Sequence, residues 1–241
     1  LGLLFEPYVI VLLPVLLKSF SDSSDHVRNA AKNSVGLIMS KLSGHGVKLL
    51  VPAVVAGLEE DDWRTKQASI HMLGSMSHCA PKQLASCLPN IVPKLTEAFS
   101  DTHPKVKSSA SSSLSEISKV IRNPEISEIA SSLLNALTDP STTVNALESL
   151  IETEFLHAID AASLSLIVPV IHRGLRDRAA TTKRYGALIA GNIVTMINDP
   201  KDFVPYLPIL LPDLKSVLLD PIPDCRSISA KAIGSLTRSL G

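Results

Sequence analysis

The sequence predicts an all-α superhelix, a solenoid of about six stacked helical hairpins. Three observations carry that expectation. Prolines recur inside apolar helical patterns, at Pro14, Pro52, Pro93, Pro169 and Pro212. Eight residues after each comes an acid: Asp22, Glu60, Asp101, Asp177 and Asp220. One more unit fits, with Ser131 in the proline position and Asp139 as its acid. Successive acids lie 38, 41, 38, 38 and 43 residues apart. A repeat this regular is one supersecondary unit used several times.

Each unit reads as a helix A, an acid-started turn and a helix B. The A helices are expected near 5–20, 46–59, 82–99, 124–138, 161–176 and 202–219. The B helices are expected near 25–42, 62–78, 104–121, 142–157, 179–197 and 224–240. In the first B helix Ala30, Val35, Leu37, Ile38 and Leu42 form an apolar stripe at helical spacing. Asp160 and Asp199 stand where they can cap helix starts. Pro81, Pro104 and Pro124 stand at first-turn positions, where a missing N–H costs nothing. The interior prolines should kink the A helices, because each removes one i→i−4 bond. The Ser108–Ser113 stretch falls in a B helix, and serine is a mediocre helix former, so that helix should be less stable than the others. The period is close to the roughly 40–47 residues of HEAT and armadillo arrays. One hairpin cannot bury its own apolar face, whereas a stack of them shares a continuous core. With no Pro/Gly/Ser-rich linker, residues 1–241 are expected to form one HEAT-repeat domain. The chain has no initiator Met and is expected to be a fragment of a longer solenoid.

A charge pattern runs through the repeat. Six residues after the acid a base recurs, at Arg28, Lys107, Lys183 and Arg226. In the second unit Arg64 follows Glu60 by four, and in the fourth unit Asn145 breaks the rule. The acid can cap helix B, and the base can bond that acid or the acid of the next unit. Such a ladder is structural: a pattern repeated in nearly every unit does not mark an active site, so paired-carboxylate catalysis is set aside.

Composition narrows the function classes. The 241 residues are 45% hydrophobic and 4% aromatic, with 23 basic and 23 acidic side chains. Zero net formal charge argues against coating nucleic acid by bulk electrostatics, while a local basic face remains open. Three cysteines, Cys79, Cys87 and Cys225, read as reduced thiols of a cytosolic or nuclear protein. The apolar start lacks a basic n-region and is broken by Glu6, Pro7 and Pro14, unlike a signal peptide. No apolar run approaches the roughly 20 residues of a membrane span. Metal-ligand spacings, a Gly-x-Ser-x-Gly elbow and phosphate-binding glycine loops are all missing from the sequence. No catalytic residue, cofactor or metal is therefore expected.

The strongest surface candidate is basic. His172, Arg173, Arg176, Arg178, Lys183 and Arg184 crowd the turn of the fifth unit, opposed by Asp177. Two readings stay open: a solvated structural face, or a contact to nucleic acid or an acidic partner. His71 and His78 share a helix face as ordinary helix residues. Cys79 and Cys87 are expected to pack in the core. Glu59–Asp62 reads as a plain turn. Trp63 is expected to plug the core, with a partner-facing anchor as the alternative.

Longer runs carry a family resemblance. They are Leu4–Ile10 (LFEPYVI), Met39–Pro52 (MSKLSGHGVKLLVP), Leu58–Gln67 (LEEDDWRTKQ), Cys79–Leu84 (CAPKQL), Leu88–Glu97 (LPNIVPKLTE), Val120–Ile126 (VIRNPEI) and Leu218–Asp224 (LLDPIPD). His172–Arg178 (HRGLRDR) and Gly191–Ile193 (GNI) belong with them, although HRGL and GNI are similar to elongation factor 3 as well. Together they resemble the elongation-factor-3-like HEAT region of the general-control translational activators. The resemblance runs from Leu3 to Gly241 and departs at Asn145 and in the Ser108–Ser113 helix. It implies a non-catalytic cytoplasmic scaffold that contacts ribosomes and an ATP-binding-cassette partner of the F type. That scaffold supports activation of the initiation factor 2 alpha kinase on amino-acid starvation, and the kinase docks on other parts of the parent protein. The alternatives are the HEAT arm of a ribosome-stimulated ATPase similar to elongation factor 3, and a generic cargo or phosphatase-type scaffold.

Overall fold

The computed structural model describes residues 2–240, and among them there are thirteen α-helices and no strand. Helices α1 (Glu6–Ser19) and α2 (Asp25–Lys41) form the first hairpin, α3 (Gly44–Ala56) and α4 (Trp63–Cys79) the second. The third is α5 (Pro81–Ala85) and α6 (Leu88–Ala98) followed by α7 (Pro104–Ser118). Then come α8 (Pro124–Thr138) with α9 (Thr143–Glu152), α10 (Ala161–Leu175) with α11 (Ala180–Ile193), and α12 (Leu207–Val217) with α13 (Pro223–Leu240). The chain divides into two compact units, Leu1–Val120 and Ile121–Gly241, with three hairpins in each. No helix among the described residues is long and apolar enough to cross a membrane.

The five recurrent prolines lie inside α1, α3, α6, α10 and α12, the first helix of each pair. Pro81, Pro104 and Pro124 open α5, α7 and α8. Three elements differ most from expectation. The third A helix is split between α5 and α6, with Pro89 in the first turn of α6, where a missing N–H leaves no helical bond unmade. The sixth begins later, at Leu207, after two 3-10 turns that accommodate Pro200 and Pro205. The fourth B helix stops at Glu152 instead of near 157. There the Glu125 carboxylate accepts from the Leu156 amide (3.3 Å) and pairs with His157 (2.7 Å), while Asn123 Nδ2 donates to the Ala158 carbonyl (3.2 Å). Ile159 then bridges to Ile197. These contacts hold the chain out of helical geometry.

In the first unit α6 buries Leu88, Ile91, Val92 and Leu95, an i, i+3, i+4, i+7 stripe. Each such side chain contributes about 1.5–3 kcal/mol when removed from water. In the second unit α10 is buried almost all round from Ala162 to Val168, because α8, α9, α11 and α12 all pack on it. The B helices meet through small residues. A Cβ on Gly74 of α4 would stand 2.8 Å from Ser113 Oγ of α7, and one on Gly191 of α11 would stand 2.9 Å from Ala232 Cα of α13. The serine-rich α7 thus has a packing role. Ser109 and Ser113 are buried toward α4, and Ser109 Oγ accepts from Gln67 Nε2 at 3.1 Å.

Two core expectations are corrected. Cys79 is exposed at the last turn of α4, with its thiol donating to the Met39 carbonyl at 3.0 Å; Cys87 is half-buried and Cys225 buried. Trp63 is no core plug. It is half-buried at the first residue of α4, stacked on the His103 ring with centroids 4.0 Å apart and planes 5° apart.

Candidate functional site at the hairpin turns

Every hairpin turn is built on a carboxylate. Asp22, Asp101, Asp139, Asp177 and Asp220 each accept from the backbone N–H two residues on, those of Ser24, His103, Ser141, Ala179 and Ile222, at 2.7–2.9 Å. Aspartate is the residue for this geometry, since its short side chain folds back onto its own backbone. In the second hairpin the role falls to Asp62, which accepts from the Arg64 and Thr65 amides at 2.8 and 3.3 Å. Glu60, the acid at the expected spacing, does not take it. Asp62 was legible as the polar residue immediately before an apolar-periodic helix.

The bases do two different things. Lys66 Nζ reaches Asp101 Oδ2 at 2.8 Å and Lys183 Nζ reaches Asp220 Oδ2 at 2.7 Å, each linking a hairpin to the next. These lysines hold the Asp101 and Asp220 carboxyls below the usual range, with the backbone bonds from His103 and Ile222 adding to the effect. Arg28 instead donates to the Asp22 and Ser23 carbonyls and pairs with Asp25. Arg226 donates to the Asp220 and Pro221 carbonyls at 2.9 and 2.8 Å. Arg64 does not pair with Glu60; its guanidinium lies over the Trp63 ring, 4.6 Å from the centroid. The missed residue is Lys66, which stands six after Glu60 and so obeys the spacing rule that Arg64 breaks. Lys107 is exposed.

The basic cluster sits where α10 ends and α11 begins. Its six members part company on burial. Arg173 donates to the Ala136 and Leu137 carbonyls near the C-terminus of α8. A cation suits those orphan carbonyls, and burial pulls the guanidinium below its ordinary pKa while Asp139 opposes that. Arg173 therefore supplies to the fourth hairpin what Asn145, exposed on α9, does not. His172 is paired with Asp213, and Lys183 is taken by Asp220. Arg184 is half-buried, with its Nε enclosed. Arg176 and Arg178 are left exposed, flanking the Asp177 turn. Two guanidinium groups on a rigid turn can grip phosphate or carboxylate. Among the described residues no group of three His, Cys, Asp or Glu side chains is arranged to hold a metal ion.

Helical hairpins with interior prolines, carboxylate turns and lysine links between neighbours define a HEAT-repeat protein. Two family models match: one described as "EF3 N-terminal HEAT repeat" over residues 1–114, the other as "Elongation factor 3/GNC1 HEAT repeat" over residues 142–241. The chain belongs to this elongation factor 3/GNC1 HEAT-repeat family. It is 52% identical over 242 residues to "Stalled ribosome sensor GCN1" of Homo sapiens and 43% identical over 242 residues to "eIF-2-alpha kinase activator GCN1" of Saccharomyces cerevisiae. In both cases all of this chain is covered, but it spans 9% of the relative's length. "Elongation factor 3" of Gonapodya prolifera is 30% identical over 235 residues, covering 97% of this chain and 22% of that protein.

Proposed function

We propose that this segment is a non-catalytic scaffold in translational control, contacting the ribosome through the exposed arginines of the fifth hairpin turn. In this reading the parent protein supports activation of the initiation factor 2 alpha kinase in the cytoplasm, with an ATP-binding-cassette F-type protein as a further partner. The kinase engages other parts of the parent. One observation carries the contact: Arg176 and Arg178 stand exposed on the turn, while Arg173 and Lys183 beside them are bound within the protein. The relatives' names support the setting, since one is called a stalled ribosome sensor and another a kinase activator.

The test is cosedimentation of the chain with purified ribosomes across a salt series. Two phosphate contacts predict that binding weakens about tenfold between 50 and 200 mM salt. The double variant Arg176→Glu/Arg178→Glu should bind more weakly, with a shallower salt slope and an unchanged melting temperature. Salt-independent binding, or a variant that binds as well as the parent, would overturn the assignment.

A second reading makes the segment the HEAT arm of a ribosome-stimulated ATPase, favoured by the 30% identity to an elongation factor 3. The sequence following Gly241 in the full gene separates the two: Walker loops support the ATPase, further helical repeats the activator.

A further inference from the structure

Four of the six B helices share a glycine register that one pair does not obey. Gly36, Gly74, Gly191 and Gly234 each stand at the twelfth residue of their helix, α2, α4, α11 and α13. In α4 and α11 the reason is contact. Gly74 receives Ser113 and Gly191 receives Ala232, each the tenth residue of the following hairpin's B helix. By the same register Gly36 should receive the tenth residue of α4. That residue is Met72, whose long side chain stands where the other pairs have serine or alanine. A Cβ added to Gly36 meets nothing within 4 Å. A mid-helix glycine costs about 1 kcal/mol relative to alanine, and no neighbour in the first unit accounts for this one.

What lies beside it is a groove of about 870 Å³ between α2 and α4. Val35, Met39, Met72 and Phe20 are buried side chains that form its apolar floor. Its rim is cationic: Lys32 and Arg28 from α2, Arg64 from α4, and Lys105 from α7. The acid among the lining residues is Asp25, which is paired with Arg28. His71 and His78 also line the groove; His78 pairs with Glu116 at 3.3 Å and His71 Nε2 is bonded to Ser109 Oγ at 3.3 Å.

We infer that this groove is a docking slot for a short acidic protein segment bearing apolar side chains. The apolar side chains enter beside Gly36 and rest on the two methionines, whose flexible thioethers adapt to varied shapes. The carboxylates meet Lys32, Arg64 and Lys105 at the rim. Single-stranded RNA matches the rim but not the floor. It also needs an open aromatic face for its bases, and Trp63 is already stacked on His103, with Arg64 at 4.6 Å and Lys105 at 5.0 Å from its centroid.

Trp63 is the only tryptophan in the chain and lines the groove, so its emission reports occupancy. The probe is a 15-residue peptide of Glu and Asp with Leu or Phe at every third or fourth position. Titration into the full chain should give a saturable change in Trp63 fluorescence. Replacing the probe's acids by Lys should abolish it, and replacing its Leu and Phe by Ala should weaken it at least fivefold. Gly36→Leu fills the slot and should weaken binding at least tenfold while leaving the melting temperature unchanged or higher. Lys32→Glu should weaken binding severalfold. The inference fails if the peptide does not bind, or if Gly36→Leu binds it as tightly as the parent. It also fails if a 15-nucleotide single-stranded RNA binds in the peptide's place. A marked loss of melting temperature in Gly36→Leu would show that α2 closes on α4 as the other pairs do, and would end it as well.

Discussion

Asp101 makes two kinds of bond at once. One oxygen accepts from the His103 amide at 2.7 Å and starts α7; the other takes Lys66 from the preceding hairpin at 2.8 Å. Replacing it with alanine removes both, so Asp101→Ala should lose about 1.5–3 kcal/mol of stability by urea denaturation. Unaltered stability would remove the link from the account. The carboxyls of Asp101 and Asp220 titrate below their unfolded value of about 3.9. A depressed folded pKa means that their stabilisation is present above pH 4 and is lost as pH falls through the folded value. Lys66→Met should therefore destabilise the chain at pH 7, and its difference from the parent should shrink in melting curves taken below pH 4. A difference that persists undiminished at pH 2.5 would assign the effect to the lysine stem instead of the ion pair.

At the scale of the element, spacing and small-residue placement decide how the helices lie. The interior prolines and the eight-residue interval to the acid follow from local chemistry and were readable directly. The breaks were readable only in part. Pro89 stands in the first turn of α6 as Pro81 opens α5, while Pro93 four residues on lies inside the helix, and the residue type alone does not separate the two outcomes. Gly74 and Ser113 look like poor helix formers in sequence and prove to be the surfaces on which α4 and α7 approach. Gly74→Leu drives a side chain into Ser113 and should cost about 1–3 kcal/mol, measured by denaturant unfolding. A neutral result would show that α4 and α7 can separate without loss.

For the whole molecule, repeat arrays gain stability chiefly from each hairpin and its neighbours. Each of the two compact units carries its own buried side chains, such as Leu88 and Ile91 in the first and Ile167 and Phe203 in the second. Gly74→Leu should accordingly speed amide hydrogen exchange in α3, α4 and α7 and leave α10, α11 and α13 as protected as before. Uniform loss of protection across the chain would mean a single cooperative core.

The candidate contact surface was half legible. All six basic side chains of the fifth turn fall within residues 172–184, yet proximity along the chain does not say where a long side chain points. Arg173 turns inward to the end of α8, and Lys183 crosses to Asp220. Arg176 and Arg178 remain outside because they belong to the turn itself.

The all-helical class, the hairpin period, the proline positions and the carboxylate at nearly every turn were legible in the amino-acid order alone. Each of these rests on interactions within a few residues or on periodicity along one helix. Tertiary structure alone decided which charges are spent on neighbouring hairpins, that Trp63 stacks at the surface, and that α2 stands off α4 while α7 does not. Those outcomes depend on what lies opposite a side chain some forty residues away: Ser113 meets Gly74, while nothing comes within 4 Å of a Cβ on Gly36.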